Sequence, residues 1–136
     1  MGRIVGLDPG AKRIGVAVSD SSRKLAFPRP ALAAEGSWWQ DMAQLVDEEG
    51  VDLVVVGRPV SLAGRETSST EMAHEVTNLV RHHFPALSVE QWDERMTTSE
   101  ASRALSAAGK STRAQREIID SAAATVMLQS YLESLR

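Results

Sequence analysis

Cysteine is absent from all 136 residues of the chain. That excludes disulfides and thiolate-held metals, suits a reducing compartment, and leaves oxygen or imidazole as the only donors for a metal ion. Long apolar runs are absent too. None approaches the roughly 20 residues that span a bilayer, and no basic segment leads into an apolar stretch with a small-residue cleavage site. The expectation is a cytoplasmic protein with no membrane partner. Nor is there an excess of positive charge: 15 Lys and Arg against 18 Asp and Glu leave a net charge of −3. A polyanion would have to be met by a local basic patch, assisted by bound cations. There is no repeat, linker or low-complexity segment, so residues 1–136 are expected to form one domain that buries about two-thirds of its unfolded surface. A G-x-S-x-G elbow and a P-loop lysine are missing, which removes serine hydrolases and P-loop ATPases.

What is present begins at the start of the chain. Residues 3–20 hold two apolar segments around one acidic turn, Asp8-Pro9-Gly10. Period-two alternation puts Ile4, Gly6 and Asp8 on one face of a strand and Val5 and Leu7 on the other. Asp8 then stands at the strand's end, before Pro9-Gly10 reverses the chain. Read alone, Asp-Pro-Gly is better explained as turn chemistry than as a catalytic site.

Residues 13–18 continue as a second strand in a hairpin with the first. Residues 25–32 read as a third strand, and its two prolines, which lack ladder donors, place it at a sheet edge. Ser37 and Gln40 have the spacing of a capping box, opening a helix that buries Trp38, Met42, Leu45 and Val46 and stops at Gly50. Trp39 is expected to widen that stripe. Residues 53–57 are apolar on both faces, as in an interior parallel strand.

A helix over about 69–83 buries Met72, Val76, Leu79 and Val80 and ends before Pro85. Residues 88–93 form the last strand. A further capping box at Thr97 and Glu100 opens a helix to Gly109, and residues 113–135 form a long final helix with Ile119, Ala122, Ala123 and Val126 on its buried stripe. His74, His82 and His83 lie on or at the end of the second helix and read as surface residues.

The order implies an α/β fold with a mixed five-stranded sheet, three antiparallel strands followed by parallel crossovers, and helices on both faces. Sites in such sheets gather at the carboxyl ends of the strands, where Asp8 and the Asp93-Glu94 pair both lie. Asp120 lies early in the final helix with Ala123, Ala124 and Met127 on its side. A carboxylate among such neighbours is costly to bury unless paired, protonated or metal-bound, although it could also sit solvated at the edge of the stripe. Three carboxylates without cysteine suit Mg²⁺ or Mn²⁺, and two such ions about 4 Å apart can activate water and stabilise the leaving oxygen of a phosphodiester. Asp8, between the other two, is the expected bridging ligand.

Gly6-Leu7-Asp8-Pro9-Gly10 with Lys12-Arg13-Ile14-Gly15-Val16-Ala17, then Val56-Gly57-Arg58-Pro59, Asp93-Glu94-Arg95-Met96-Thr97-Thr98, and Asp120-Ser121-Ala122-Ala123-Ala124 through Leu128-Gln129-Ser130-Tyr131-Leu132 together resemble the YqgF (RuvX) family. The likeness covers almost the whole chain. It implies an RNase H-like fold, and a nuclease that processes the 5′ end of pre-16S rRNA or acts like a Holliday junction resolvase, leaving a 5′-phosphate and a 3′-hydroxyl. It also implies Asp8, Glu94 and Asp120 as the metal-binding and catalytic carboxylates; Glu94 is preferred to Asp93 as nearer the strand exit.

Two departures bear on the reading. Ala123 stands where RuvC-type resolvases place a further aspartate. The chain also has Asp-Pro-Gly where an aromatic residue often follows the aspartate, and Val60-Ser61-Leu62 after Pro59, both of which bear on substrate fit.

Lys12, Arg13, Arg58, Arg65, Arg95, Lys110, Arg113 and Arg116 supply basic groups at or near the expected active edge, suited to phosphate contacts that fix register without reading bases. The expected partner is structured RNA, including ribosomal precursors, with four-way DNA junctions as the alternative; a junction cutter needs two sites related by a two-fold axis, so monomer and homodimer are both open. Two other classes compete. One is a binding factor in transcription or ribosome assembly that keeps the fold without cutting. The other is an actin-like ATPase, whose phosphate loop Asp8-Pro9-Gly10 and Gly15 resemble but which needs a second lobe.

Overall fold

The structure, a computed structural model, describes residues 2–59, 68–94 and 121–135. Strands β1 (Arg3–Pro9) and β2 (Arg13–Ser19) form the opening hairpin, followed by β3 (Ala26–Ala33). Helix α1 (Trp38–Glu49) leads to β4 (Val51–Arg58), α2 (Ser68–His83) to β5 (Ser88–Asp93), and α3 (Ala122–Ser134) completes the described elements. The strands lie in the order β3-β2-β1-β4-β5, antiparallel across β3, β2 and β1 and parallel from β1 through β4 to β5. The mixed five-stranded sheet expected from the residues is the one observed.

Apolar alternation divides the interior into two layers. Val5, Leu7, Val54 and Val56 pack with Trp38, Met42, Val76 and Val80 of α1 and α2. Ile4, Ala17 and Val55 pack on the other side with Ala124, Met127, Leu128, Tyr131 and Leu132 of α3. The unbroken apolar run of β4 follows from this: it has a strand on either side and helices above and below. Gly6 lies where a Cβ would come within 3.0 Å of the Leu128 Cβ, so a bare backbone there lets α3 settle close to β1.

β3 is the edge strand that its prolines demand. Its register against β2 shifts between Ile14 and Val16, so Pro30 and Ala31 together face Gly15. This is a β-bulge, a position that tolerates a residue without an N–H.

Three local expectations are corrected. Ser37 is the N-cap of α1 but its side chain makes no capping bond; its ψ of 57° departs from the extended backbone of a capping serine, and its carbonyl accepts from the Gln40 N–H at 3.0 Å instead. Ala123 is exposed, because α3 meets the sheet through Ala124, Leu128 and Tyr131, and Ala123 is turned about 100° from Ala124. Met72 and Leu79 are only half-buried, while Ala73, Val76 and Val80 form the inner stripe of α2.

Gly50 does end α1, in the left-handed region at φ 65°. Trp39 widens the α1 stripe as expected, stacking on His83 with ring centroids 4.4 Å apart and 9° between planes. His82 and His83 are exposed, and His74 meets the Gln91 amide at 3.1 Å. The expected helix ending at Gly109 and the first part of the expected final helix lie outside the described residues.

Candidate active site

Asp8 reaches its place through the alternation of β1. Ile4 packs against α3, Gly6 lies beneath Leu128, and Asp8 is next on that face. The strand runs one residue further than the sequence suggests: Pro9 still pairs with Ile14, and the reversal falls on residues 10–12. Gly10 is required there, since a Cβ would lie 2.7 Å from the Arg13 carbonyl oxygen.

Glu94 follows the same logic on β5. Glu90 accepts a hydrogen bond from the Tyr131 hydroxyl and Trp92 meets the Tyr131 ring edge-on at 5.5 Å, so both face α3. Gln91, between them, donates to Thr77 of α2 at 3.0 Å on the opposite side. Glu94 is two residues beyond Trp92, just past the strand's end, and its carboxyl hydrogen-bonds with Asp8. Of the two acids left open by the sequence, Glu94 is the one brought to Asp8. Asp93 stands in register with Arg58 and acts on Glu94 as a nearby negative charge.

β1 and β5 are not neighbours; β4 lies between them. The side chain of Glu94 crosses β4 at Gly57, where an added Cβ would be 2.7 Å from Glu94 Oε1. Gly57 therefore keeps the bridge between the two carboxyl groups open. Sequence reasoning passed over it, although a glycine interrupting a buried valine-rich strand signals the close approach of another group. A buried serine, Ser121, was also passed over.

Burial pushes the Glu94 carboxyl up from its ordinary 4.5 to about 8, and the hydrogen bond to Asp8, the charge of Asp8 and the charge of Asp93 act in the same direction. A hydrogen bond between two carboxyl groups needs a proton, so the pair shares one at neutral pH. Stability follows with a definite sign. Between pH 4.5 and about 8 the folded chain holds a proton on Glu94 that the unfolded chain releases, so this group lowers stability as pH rises through that window. Melting temperatures in metal-free buffer across that range should therefore fall more steeply for the parent than for Glu94→Gln; parallel curves would show that Glu94 carries no such proton.

Two carboxyl groups sharing a proton also form a hard-oxygen donor set, and a divalent cation could take the proton's place. Among the described residues no group of three acidic or histidine side chains is placed to hold a metal ion, and Asp120 lies outside them. Lys12 and Arg13 are exposed at the hairpin turn beyond Asp8. Arg58 is half-buried at the end of β4, with its Nε enclosed and no hydrogen-bond partner among the described residues. Arg65, Arg95, Lys110, Arg113 and Arg116 lie outside the described residues.

The sequence from residue 2 to residue 134 matches the family described as RuvX, Holliday junction resolvase. The chain belongs to the RuvX family. Relatives named "Putative pre-16S rRNA nuclease" include one from Chlorobaculum tepidum, 39% identical over 97% of this chain and 94% of its own length, and one from Geobacillus thermodenitrificans, 39% identical over 98% and 99%. Among solved structures, Thermus thermophilus RuvC in complex with a Holliday junction substrate aligns with a TM-score of 0.61 at 13% identity, covering 99% of this chain and 96% of that one. The fowlpox virus resolvase bound to junction DNA aligns with a TM-score of 0.60 at 14% identity, covering 98% of each chain. At such identities the likeness concerns the fold, which is RNase H-like, as the resemblance to the RuvX family implied and as the order of strands and helices allows.

Proposed function

We propose that this RuvX-family chain is a divalent-cation-dependent nuclease acting on structured RNA, with precursor 16S rRNA as its substrate. The observation that carries the reading is the proton-sharing pair of Asp8 and Glu94, held at the ends of two strands with Gly57 leaving room between them. A half-buried acid pair offers nothing to a protein that only binds a polyanion, because like charges repel it. The names of the relatives supply the substrate class.

Asp8, Glu94 and Asp120 would hold Mg²⁺ or Mn²⁺. When bound, such cations polarise the scissile phosphate and make water a competent nucleophile at neutral pH. The protein's own contribution is threefold. Asp8 and Glu94 give up their shared proton and present oxygen donors. The α3 layer packs on the same face of β1 and β5 through Ile4 and Trp92 and so fixes the strands that carry the pair. Lys12 and Arg13, exposed at the turn, meet phosphate oxygens on either side of the cut and position the strand. Arg58, Arg65, Arg95, Lys110, Arg113 and Arg116 extend that role in the proposal. Cytoplasmic location fits this substrate, and among the described residues no helix is long and apolar enough to cross a membrane.

The family's description as a Holliday junction resolvase makes four-way junction DNA the second substrate. Incubation with a precursor rRNA fragment, single-stranded RNA and a four-way junction, each in Mn²⁺ and in chelator, separates the two. The expected result is Mn²⁺-dependent cleavage of the precursor, abolished by chelator, with 5′-phosphate ends. Cleavage of the junction alone would transfer the activity to DNA, and cleavage indifferent to chelator would end the metal reading.

A further inference from the structure

Ser121 is wholly buried at the start of α3, and its hydroxyl does not cap that helix. Instead it accepts a hydrogen bond from the Val16 N–H at 3.0 Å and donates one to the Arg29 carbonyl at 2.6 Å. Val16 and Arg29 face each other across β2 and β3, at the edge of the bulge opposite Gly15. The hydroxyl is therefore inserted in the ladder between the two strands, satisfying the donor of one and the acceptor of the other. Both backbone groups would be costly to leave unpaired in the interior.

The place of this wedge gives it a consequence. Gly15, the residue before Val16, is in register with Asp8 on β1. The same helix that Ser121 anchors lies against Gly6 through Leu128, on the face where Asp8 points. One hydroxyl thus ties together the strand beside Asp8, the edge strand beyond it and the helix over that face. In sequence it is also adjacent to Asp120.

We propose that Ser121 is a positioning residue: by wedging into the β2–β3 ladder it holds α3 and the Asp8 end of the sheet in the arrangement that binds a divalent cation. This rests on the metal-dependent reading above. A serine that only filled two backbone valences would affect stability alone. A positioning serine also affects cation affinity, and groups that orient metal ligands from behind typically contribute 10- to 100-fold.

The test pairs Mn²⁺ affinity, read from the electron paramagnetic resonance of free Mn²⁺, with hydrogen exchange at the Val16 amide. In the parent, the Val16 amide should exchange as slowly as its neighbours in the ladder. Ser121→Ala should speed that exchange and weaken Mn²⁺ binding about tenfold or more, while Ser121→Thr, which keeps the hydroxyl, should restore both. Should Ser121→Ala not fold, Ser121→Cys, a small side chain with weak hydrogen bonding, takes its place. A folded Ser121→Ala that binds Mn²⁺ as tightly as the parent overturns the proposal alone. Fast exchange at Val16 in the parent overturns the wedge itself. A parent that binds no Mn²⁺ overturns the metal reading and this inference with it.

Discussion

Replacing Glu94 by Gln should abolish cleavage while leaving the protein as stable as before, or more so. In the metal-free chain Glu94 is held well above its ordinary range and is protonated at neutral pH. Glutamine copies that neutral state: its amide N–H can donate to Asp8 in place of the carboxyl proton. The folded structure loses nothing, and the deprotonation that lowers stability toward pH 8 no longer occurs. Catalysis has the opposite requirement, because an amide cannot supply the charge that holds a divalent cation. Removing a direct ligand should cost more than the 10- to 100-fold typical of its supporting partners, so a loss exceeding about a hundredfold is expected.

Asp8→Asn should behave the same way. Thermal melting and cleavage of the precursor fragment, measured on the same preparations, check both. A Glu94→Gln protein that melts well below the parent would show that the pair is a structural ion site, and one that cleaves normally would remove Glu94 from the chemistry.

A second large effect is expected at a residue with no side chain. In Gly57→Ala the new methyl carbon would lie 2.7 Å from Glu94 Oε1, about an ångström inside van der Waals contact. The neighbour is the far end of a flexible side chain at the end of a strand, so Glu94 swings away while β4 stays in place. The backbone is not in the left-handed region, so no conformational strain adds to this. The expected outcome is a protein that folds with a melting temperature close to the parent's but binds Mn²⁺ at least about tenfold more weakly, as when a ligand loses its orientation. Titration of Mn²⁺ into Gly57→Ala and parent measures it; equal affinities would mean that Glu94 reaches Asp8 without crossing β4 closely. Gly57→Val should be worse, since its branched side chain fills more of the same space.

How far the sequence leads can be judged from these residues. Alternation in β1 was enough to aim Asp8 at one face, because Val5 and Leu7 had to be buried on the other. The valines of β4 marked an interior strand, and Pro28 and Pro30 marked an edge; both are physical exclusions and both hold. Glu94 against Asp93 could not be decided from the sequence, since adjacent residues on a strand face opposite ways and only the contacts of Glu90 and Trp92 with Tyr131 reveal which parity belongs to α3.

Gly57 and Ser121 escaped for a related reason. Each acts on a segment far away in sequence: Gly57 by leaving space for Glu94, Ser121 by bonding to Val16 and Arg29 over separations of 105 and 92 residues. Local patterns do not name such partners: a glycine within the valines of β4 signals a close approach without saying whose. The Ser37 capping box failed in the opposite sense, since the local pattern was present but the backbone at the cap took another shape.

The position of β4 between the two acid-bearing strands has a consequence for how the protein comes into being. Asp8 is made before Glu94, which arrives only after α1, β4 and α2 have been added between them. A chain ending at β4 holds four of the five strands, yet it has no partner for Asp8. The carboxyl pair comes into existence only when β5 docks along β4, a long-range event of the kind that forms slowly. The acid pair of the nuclease proposed here is thus one of the last features the sheet acquires, present only once the outer strand is in place.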